Sequence, residues 1–330
     1  MPKPLRAGDI LKERYAIRRI IGQGGMGSVY LADDMRLQGR QTAVKEVFHD
    51  ESMPDELITQ AREQFLREGT VLARLDHPNL PKVSDFFSIE DRDYLVMDFV
   101  PGKDLAMLMT AARLKNTFLD EREVLGWAGQ LAEALSYLHS QDPPIVHRDI
   151  KPSNLKLTPG GVIKLVDFGL VKILASMDEV TITVVQGRGT ATYTPLEQYG
   201  GDSGHTDVRS DIFSFGATLY HLLTNTPPEE ARDRFLNPET LVAPRDINPN
   251  ISPRTERAIF WAMNLHPDER PQHIHQFRQA LLGDWNPSKE PRRALPTPGL
   301  IDLLSSPVER ILIWIFLALL FISLIVTLGW

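Results

Sequence analysis

The stretch "HRDIKPSNLKLTPGGVIKLVDFG", residues 147–169, constrains this chain more than any other. Its first eight residues crowd Arg148, Asp149, Lys151 and Asn154 beside a proline, which makes a poor helix and a poor strand. Two strand-like runs follow, flanking "TPGG", where proline then glycine suit the central positions of a type II turn. A hairpin folded there brings Asn154 and Asp167 together at its open end. Both offer hard oxygen ligands of the kind Mg²⁺ takes while keeping waters and phosphate oxygens. Asp149 and Lys151 then face the same place. Asp149 can orient a hydroxyl and accept its proton, and Lys151 can neutralise charge on a moving phosphoryl group. Singly, these residues have ordinary readings: a turn former, a cap, a solvated hairpin end. Their joint occurrence points to phosphoryl transfer.

Upstream, "GQGGMGSV" spaces Gly22, Gly24 and Gly27 as G-x-G-x-x-G. A dinucleotide fold would continue into a helix. Here "YAIRRIIG" before and "SVYLADD" after are strand-like, so the glycines tip a hairpin. Such a tip is an ordinary turn or a cradle whose N–H groups approach phosphate oxygens. Lys45 lies on the next strand, "QTAVKEVF". Residues 55–75 show helical spacing, with Ala61, Phe65, Leu72 and Leu75 on one stripe. Glu68 falls on that stripe, where a carboxylate is expensive to desolvate unless paired. It either reaches water at the stripe's edge or pairs with Lys45. "DYLVMDFV" is a further strand. From residue 121 helices dominate: "EREVLGWAGQLAEALSYLHS" has one apolar face, and "SDIFSFGATLYHLL" is apolar nearly all round, as in a buried helix. A strand-rich half followed by a helical half predicts two lobes with a cleft between.

The C-terminal run "ILIWIFLALLFISLIVTLGW", residues 311–330, carries no charge. As a helix it would rise roughly 30 Å, a hydrocarbon core's thickness. Trp314 and Trp330 lie near its ends, where indoles prefer the interface. It reads as a single membrane span. Five prolines between 283 and 310 favour an extended spacer. The formal charge of -7 argues against a nucleic-acid-binding surface. The absence of cysteine excludes disulfides and thiolate metal sites. The N-terminal stretch has no apolar run and does not read as a signal peptide. His273 and His275 in "HIH" lack an apparent third metal ligand.

With these motifs in order, residues 12–282 resemble a protein kinase, specifically the eukaryotic-like (Hanks-type) Ser/Thr kinases of bacteria. "GQGGMGSVY", "AVK", "HRDIKPSN", "DFG", "YTPLEQ", "DVRSDIFSFG" and "HPDERP" carry the resemblance. It implies an α+β, two-lobed kinase fold with ATP in the cleft, plus the C-terminal transmembrane helix. Residues 1–11 would be an extension and 283–310 a juxtamembrane linker. By resemblance, Ile21, Gly22, Gly24, Gly27, Val29, Ala43, Met97, Asp98 and Val100 line the nucleotide site. Lys45 contacts the phosphates, Glu68 pairs with Lys45, and Asp149 is the catalytic base with Lys151 beside it. Asn154 and Asp167 hold Mg²⁺, with Mn²⁺ an alternative. Glu197 and Arg270 form a buried ion pair under the substrate segment, and Asp211 braces the catalytic loop. Lys151 is the Ser/Thr form of that loop, implying protein Ser/Thr acceptors.

Arg148 suggests control by phosphorylation of the segment 167–197. Thr181 and Thr183 are expected autophosphorylation sites, and Thr190 is expected to contact Asp149. Two departures stand out. The usual "APE" reads Thr194-Pro195-Leu196-Glu197, a register shift of one residue. Lys156, in "NLKL", stands where the family is usually apolar, and nothing in the sequence accounts for it. The alternatives to an active kinase are a membrane-anchored pseudokinase scaffold and a small-molecule phosphotransferase. The intact Lys45, Asp149, Asn154 and Asp167 set speaks against the first, and the Pro-Leu-Glu segment with Arg270 against the second. The expected location is the cell membrane, with the catalytic unit cytoplasmic and Arg310 at the inner boundary. Membrane lipid is the expected partner of the span, nucleic acid is not expected, a homodimer is left open, and no sensor domain is expected beyond Trp330.

Overall fold

The computed structural model describes residues 4–24, 27–48, 55–90, 92–167, 172–173, 191–199 and 206–283. The small lobe is a six-stranded antiparallel sheet of order β1-β2-β3-β4-β6-β5. Its strands are β1 (Ile10–Leu11), β2 (Tyr15–Gly24), β3 (Gly27–Asp34), β4 (Gln41–Phe48), β5 (Val83–Ile89) and β6 (Arg92–Asp98). Alternation of side chains makes the sheet two-faced. Tyr15, Ile17, Tyr30, Ala32, Val44, Tyr94 and Val96 form an outer core. Ala43, Leu95 and Met97 turn the other way and join the main core, with Ile21 and Val29 packed against it. β5 is not among the strands expected from sequence; it has only seven residues and an irregular burial pattern, with a bulge at Val83/Asp85.

Helix α1 (Asp55–Arg74) packs on β5, burying Leu72, and Gly69 lets it close on Phe86: a Cβ at residue 69 would stand 3.0 Å from that ring. After β6 the chain crosses at Val100, which is buried, into β7 (Lys103–Asp104) and α2 (Leu105–Leu114). Asp104 caps α2, accepting a hydrogen bond from the Met107 amide at 2.8 Å. α3 (Glu121–His139) is capped likewise by Asp120 and buries Val124, Leu131, Leu135 and Leu138.

The large lobe continues with β8 (Ile145–Val146), β9 (Leu155–Leu157), β10 (Ile163–Leu165) and β11 (Lys172–Ile173). Its helices are α4 (Val208–Thr224), α5 (Ala231–Leu236), α6 (Pro244–Ile247), α7 (Pro253–Ala262) and α8 (Ile274–Leu282). The expected 155–165 hairpin forms, but its turn differs. The Gly161 amide donates to the Thr158 carbonyl at 2.9 Å, and the left-handed residue is Gly161 (φ 74°), not Gly160. That is the three-residue hairpin with a glycine bulge rather than a type II turn. α4 is buried almost throughout, as its composition predicts. Gly216 makes this fit, since a Cβ there would come within 2.8 Å of Ala262 on α7. Among the described residues no helix is long and apolar enough to cross a membrane; residues 311–330 lie outside them.

Candidate active site

The β2–β3 hairpin closes with Gly24 opposite Gly27, and Gly22 lies opposite Val29. Gly27 is required by contact: a Cβ would sit 1.8 Å from the Glu46 carbonyl oxygen. The hairpin is thereby pressed onto β4 one residue past Lys45. Register then sets the rest of the roof, with Val29 opposite Lys45, Ala43 opposite Met97 and Thr42 opposite Asp98. Asp98 is held by Arg40 at 2.9 Å. Met97 and Val100 are buried at the back of the cleft.

The floor is built from the loop between β8 and β9. A 3-10 turn at Pro152–Asn154 turns Asn154 back on Asp149: its Nδ2 donates to the Asp149 carbonyl oxygen and to Oδ2, both at 2.8 Å. Lys151 Nζ lies 2.8 Å from the same Oδ2. Asp149 Oδ1 is buried and has no hydrogen-bond partner among the described residues. One carboxylate oxygen is thus fixed and the other is left to accept a proton. The Val166 amide donates to the Asn154 carbonyl at 2.8 Å, tying Asn154 to the strand that ends in Asp167. With its NH₂ spent on Asp149, the Asn154 amide oxygen is left over. It and the Asp167 carboxylate are a hard-oxygen pair that fits Mg²⁺ or Mn²⁺, cations that complete their shells with water and phosphate.

Arg148 and Asp167 both have φ of 68°, a left-handed backbone that costs a non-glycine residue roughly 1–3 kcal/mol. Asp211, at the start of α4, holds the loop in that shape. Its Oδ1 accepts from the Arg148 amide at 2.8 Å and its Oδ2 from the His147 amide at 2.9 Å. His139 Nε2 also lies 2.9 Å from Oδ2. Burial works to raise the Asp211 pKa, but the hydrogen bond and field of His139 override it and hold the group ionised. The bracing role expected of Asp211 is therefore realised in geometry.

One expectation is corrected. Lys45 is ion-paired with Asp167, not with Glu68. Glu68 instead contributes to the field at the half-buried Arg148, favouring its charge against desolvation. The pairing of Glu68 depends on where α1 sits as a rigid body, which helical spacing does not determine.

Glu197 and Arg270 meet as expected, in a two-pronged bridge at 2.6 and 3.0 Å. Arg270 is 2% exposed and also donates to the Asn264 and Leu265 carbonyls. Ser210 Oγ donates to Glu197 at 2.7 Å. Sequence reasoning passes over several residues that complete the platform. Ser214 donates to the Tyr193 carbonyl at 2.8 Å, Thr218 to the Ile150 carbonyl at 3.2 Å, and the Tyr193 hydroxyl lies 2.6 Å from His221 Nδ1. Hydroxyls inside an otherwise apolar helix are the signal that could have found them, because buried polar groups demand partners. Thr181, Thr183 and Thr190 lie outside the described residues. Among the described residues no group of three His, Asp or Glu is placed to hold a metal, and His273 and His275 stack on each other at the exposed start of α8.

Comparison with known proteins matches residues 15–285 to the protein kinase domain. The chain is 35% identical over 270 residues to serine/threonine-protein kinase PrkC of Bacillus subtilis, covering 80% of this chain and 39% of that protein. It is 33% identical over 276 residues to the DNA damage-responsive serine/threonine-protein kinase RqkA of Deinococcus radiodurans, covering 82% and 39%. The solved PknI kinase domain of Mycobacterium tuberculosis superposes with a TM-score of 0.63 at 28% identity, covering 84% of this chain and 98% of that one. The chain thus spans about two fifths of the length of the curated relatives it matches.

Proposed function

The chain belongs to the protein kinase domain family, and from that premise we propose that it is a Ser/Thr protein kinase, transferring the γ-phosphate of ATP to hydroxyls of protein substrates. The observation that carries this reading is Asp149: one oxygen is clamped by Asn154 and Lys151, and the other is buried and unpartnered among the described residues. That is the arrangement a base needs to receive and orient a hydroxyl. Lys151 stands where it balances charge between acceptor and phosphate. Lys45 and the β2–β3 hairpin would hold the phosphates. Val29 and Ala43 would cover the adenine, with Met97, Asp98 and Val100 along its edge. Asn154 and Asp167 would hold the divalent cation, which when bound neutralises charge on the phosphate oxygens. Arg270 and Glu197 keep the segment from Ala191 to Tyr199 as a platform for a peptide, which favours protein over small-molecule acceptors.

Phosphorylation of Thr181 or Thr183 would control the enzyme through Arg148. What supports this is the half-buried Arg148 side chain, whose Nε is buried and has no hydrogen-bond partner among the described residues. A phosphothreonine would supply a charge-assisted partner. Residues 311–330 would anchor the chain in the cell membrane, with the catalytic unit on the cytoplasmic side where ATP is found; the support is the uncharged run itself.

The test is phosphotransfer by the full chain in detergent, with Mg-ATP and a generic basic protein as acceptor. Wild type should label itself and the acceptor, and Asp149→Asn should not. Equal labelling by both would sink the reading. Extraction of the chain from cells without detergent would sink the anchor.

A further inference from the structure

β4 presents its residues alternately to the two faces of the small-lobe sheet. Ala43 joins the main core and Lys45 meets Asp167 across the cleft, so Val44 and Glu46 face the outer core. That face asks for apolar side chains, and Val44 complies. Glu46 does not, yet it is wholly buried. Side chains from both neighbouring strands hold it. Tyr30 of β3 donates to Oε2 at 2.7 Å, while Tyr94 and Arg92 of β6 donate to Oε1 at 3.0 and 2.7 Å. Burial first, and Glu46 after it, raise the pKa of both phenols, which keeps them as donors.

A second link runs outward from Tyr30. Its hydroxyl accepts from the Leu5 amide at 3.0 Å, and the Leu5 side chain packs on the outer core. The Gly8 amide donates to the Ile17 carbonyl at 2.9 Å, and the Ile17 amide donates to the Asp9 carbonyl at 2.8 Å. Residues 5–9 are thereby strapped to the small lobe ahead of β1. A third link runs to the cleft. Glu46 follows Lys45 directly in the chain, and its carbonyl oxygen is the atom against which Gly27 closes.

A buried ion pair often gives no more stability than well-packed apolar side chains would. What Glu46 adds is geometry. Donors from β3 and β6 converge on one side chain of β4, so the three strands cannot shift against each other without stranding a buried polar group. We propose that Glu46 is a positioning residue for the phosphate end of the nucleotide site, and that residues 5–9 are a strap acting on that site through Tyr30 and Glu46. The Leu5 amide orients the Tyr30 hydroxyl, Tyr30 holds the carboxylate, and the carboxylate fixes the strand that carries Lys45 and receives Gly27. The strap and the phosphates lie on opposite faces of one sheet, and these buried contacts are the route between them. This inference rests on the cleft being an ATP site, as proposed above, and goes beyond it by coupling that site to the N-terminal segment.

The experiment compares wild type, Glu46→Gln, Tyr30→Phe, Leu5→Pro and Leu5→Ala as full chains in detergent. Phenylalanine keeps the ring and removes the hydroxyl. Proline removes the amide donor of residue 5, which alanine keeps. Affinities for Mg-ATP and for adenosine are read by displacement of a fluorescent ADP analogue, with urea midpoints alongside. Glu46→Gln and Tyr30→Phe should weaken ATP by about 2- to 30-fold and leave adenosine unchanged, because Lys45 and the Gly27 end of the hairpin serve the phosphates. Leu5→Pro should weaken ATP more than Leu5→Ala does, and should have no further effect in the Tyr30→Phe chain, where the link is already cut. Unchanged ATP affinity in Tyr30→Phe overturns the proposal. Equal weakening of ATP and adenosine also overturns it, since that marks a general loosening of the lobe. If Glu46→Gln does not fold, Tyr30→Phe decides, because it leaves Arg92 and Tyr94 on the carboxylate. An undiminished effect of Leu5→Pro in the Tyr30→Phe chain overturns the route from the strap. Failure of wild type to bind ATP at all is a different result, which removes the kinase reading and this inference with it.

Discussion

Lys45 and Asp167, 122 residues apart in sequence, are ion-paired across the cleft. The pair couples the lysine offered to the phosphates with the carboxylate offered to the cation. Burial alone would raise the Asp167 pKa; the field and hydrogen bond of Lys45 override it and bring it below the ordinary value of 3.8. A group lowered in this way contributes stability above its unfolded pKa, and loses it only as pH falls through the folded one. Asp167 should accordingly stay ionised throughout the range from pH 7 to 5. Binding of Mn²⁺, followed by the loss of the free-ion spin resonance signal, should not weaken there through protonation of Asp167. In Lys45→Met the carboxylate keeps its burial and loses its main counter-charge, so binding should begin to fail at a higher pH than in wild type. Identical pH profiles would show that the pair does not control the carboxylate.

Asp211 satisfies two backbone amides and His139 while itself wholly buried. Truncation to alanine strands both N–H groups, at about 1–3 kcal/mol each, and releases a loop held in a left-handed backbone. Asp211→Ala should lose stability on that scale in urea titration, and turnover should fall with it. Unchanged turnover in a destabilised protein would mean that the loop holds its shape without the brace.

Removing one partner of the Glu197–Arg270 bridge leaves an uncompensated buried charge, which costs about 3–5 kcal/mol. Arg270→Lys should recover little of this, because one ammonium cannot reproduce the fork that spans both carboxylate oxygens and two carbonyls. Urea midpoints of Arg270→Lys and Arg270→Ala should be close to each other and well below wild type.

His221 is pushed down to about 4 from 6.5 by burial, with the charge of Arg113 adding to it. The folded state therefore favours the neutral ring that faces the Tyr193 hydroxyl. A lowered histidine contributes fully above pH 6.5 and loses that contribution as pH falls from 6.5 to about 4, because the unfolded chain binds the proton first. From pH 7 to pH 5 wild type should lose about 1–2 kcal/mol more than His221→Gln, after allowance for the ring's partial exposure. Parallel urea curves at the two pH values would refute it.

Gly27→Ala would place a methyl into the Glu46 carbonyl. The hairpin must then lift from β4 beside Lys45. ATP affinity should drop by at least about tenfold, that is by 1.4 kcal/mol or more, with less effect on global stability because the strain falls at the tip of one hairpin. Calorimetric titration with ATP alongside thermal unfolding separates the two.

Much of the site is legible in the chain because its parts are local. Asp149, Lys151 and Asn154 share one short loop, and a hairpin of a dozen residues is enough to bring Asp167 back to them. The alternating pattern of β3 and β4 puts Val29, Ala43 and Lys45 on one face before any tertiary contact exists. The turn at Thr158–Gly161 shows the limit of this. Proline then glycine permits a type II turn, and the hydrogen bond between Thr158 and Val162 selects the bulged form instead. Ser214, Thr218 and His221 are less legible, because a hydroxyl or imidazole on a buried helix says that a partner exists without saying which.

The sequence by itself determined the two lobes and the catalytic loop, since period-two and period-3.6 patterns and short motifs act within a few residues of themselves; the Glu197–Arg270 and Asp211 anchors, which join residues more than 60 apart, were legible only through the resemblance to protein kinases. Only the tertiary structure decided that Lys45 pairs with Asp167 and not with Glu68, and that Glu46 meets Tyr30, Tyr94 and Arg92. Those outcomes depend on the placement of a whole helix and a whole sheet. Coulomb attraction and desolvation then choose among the charges that packing has brought within reach.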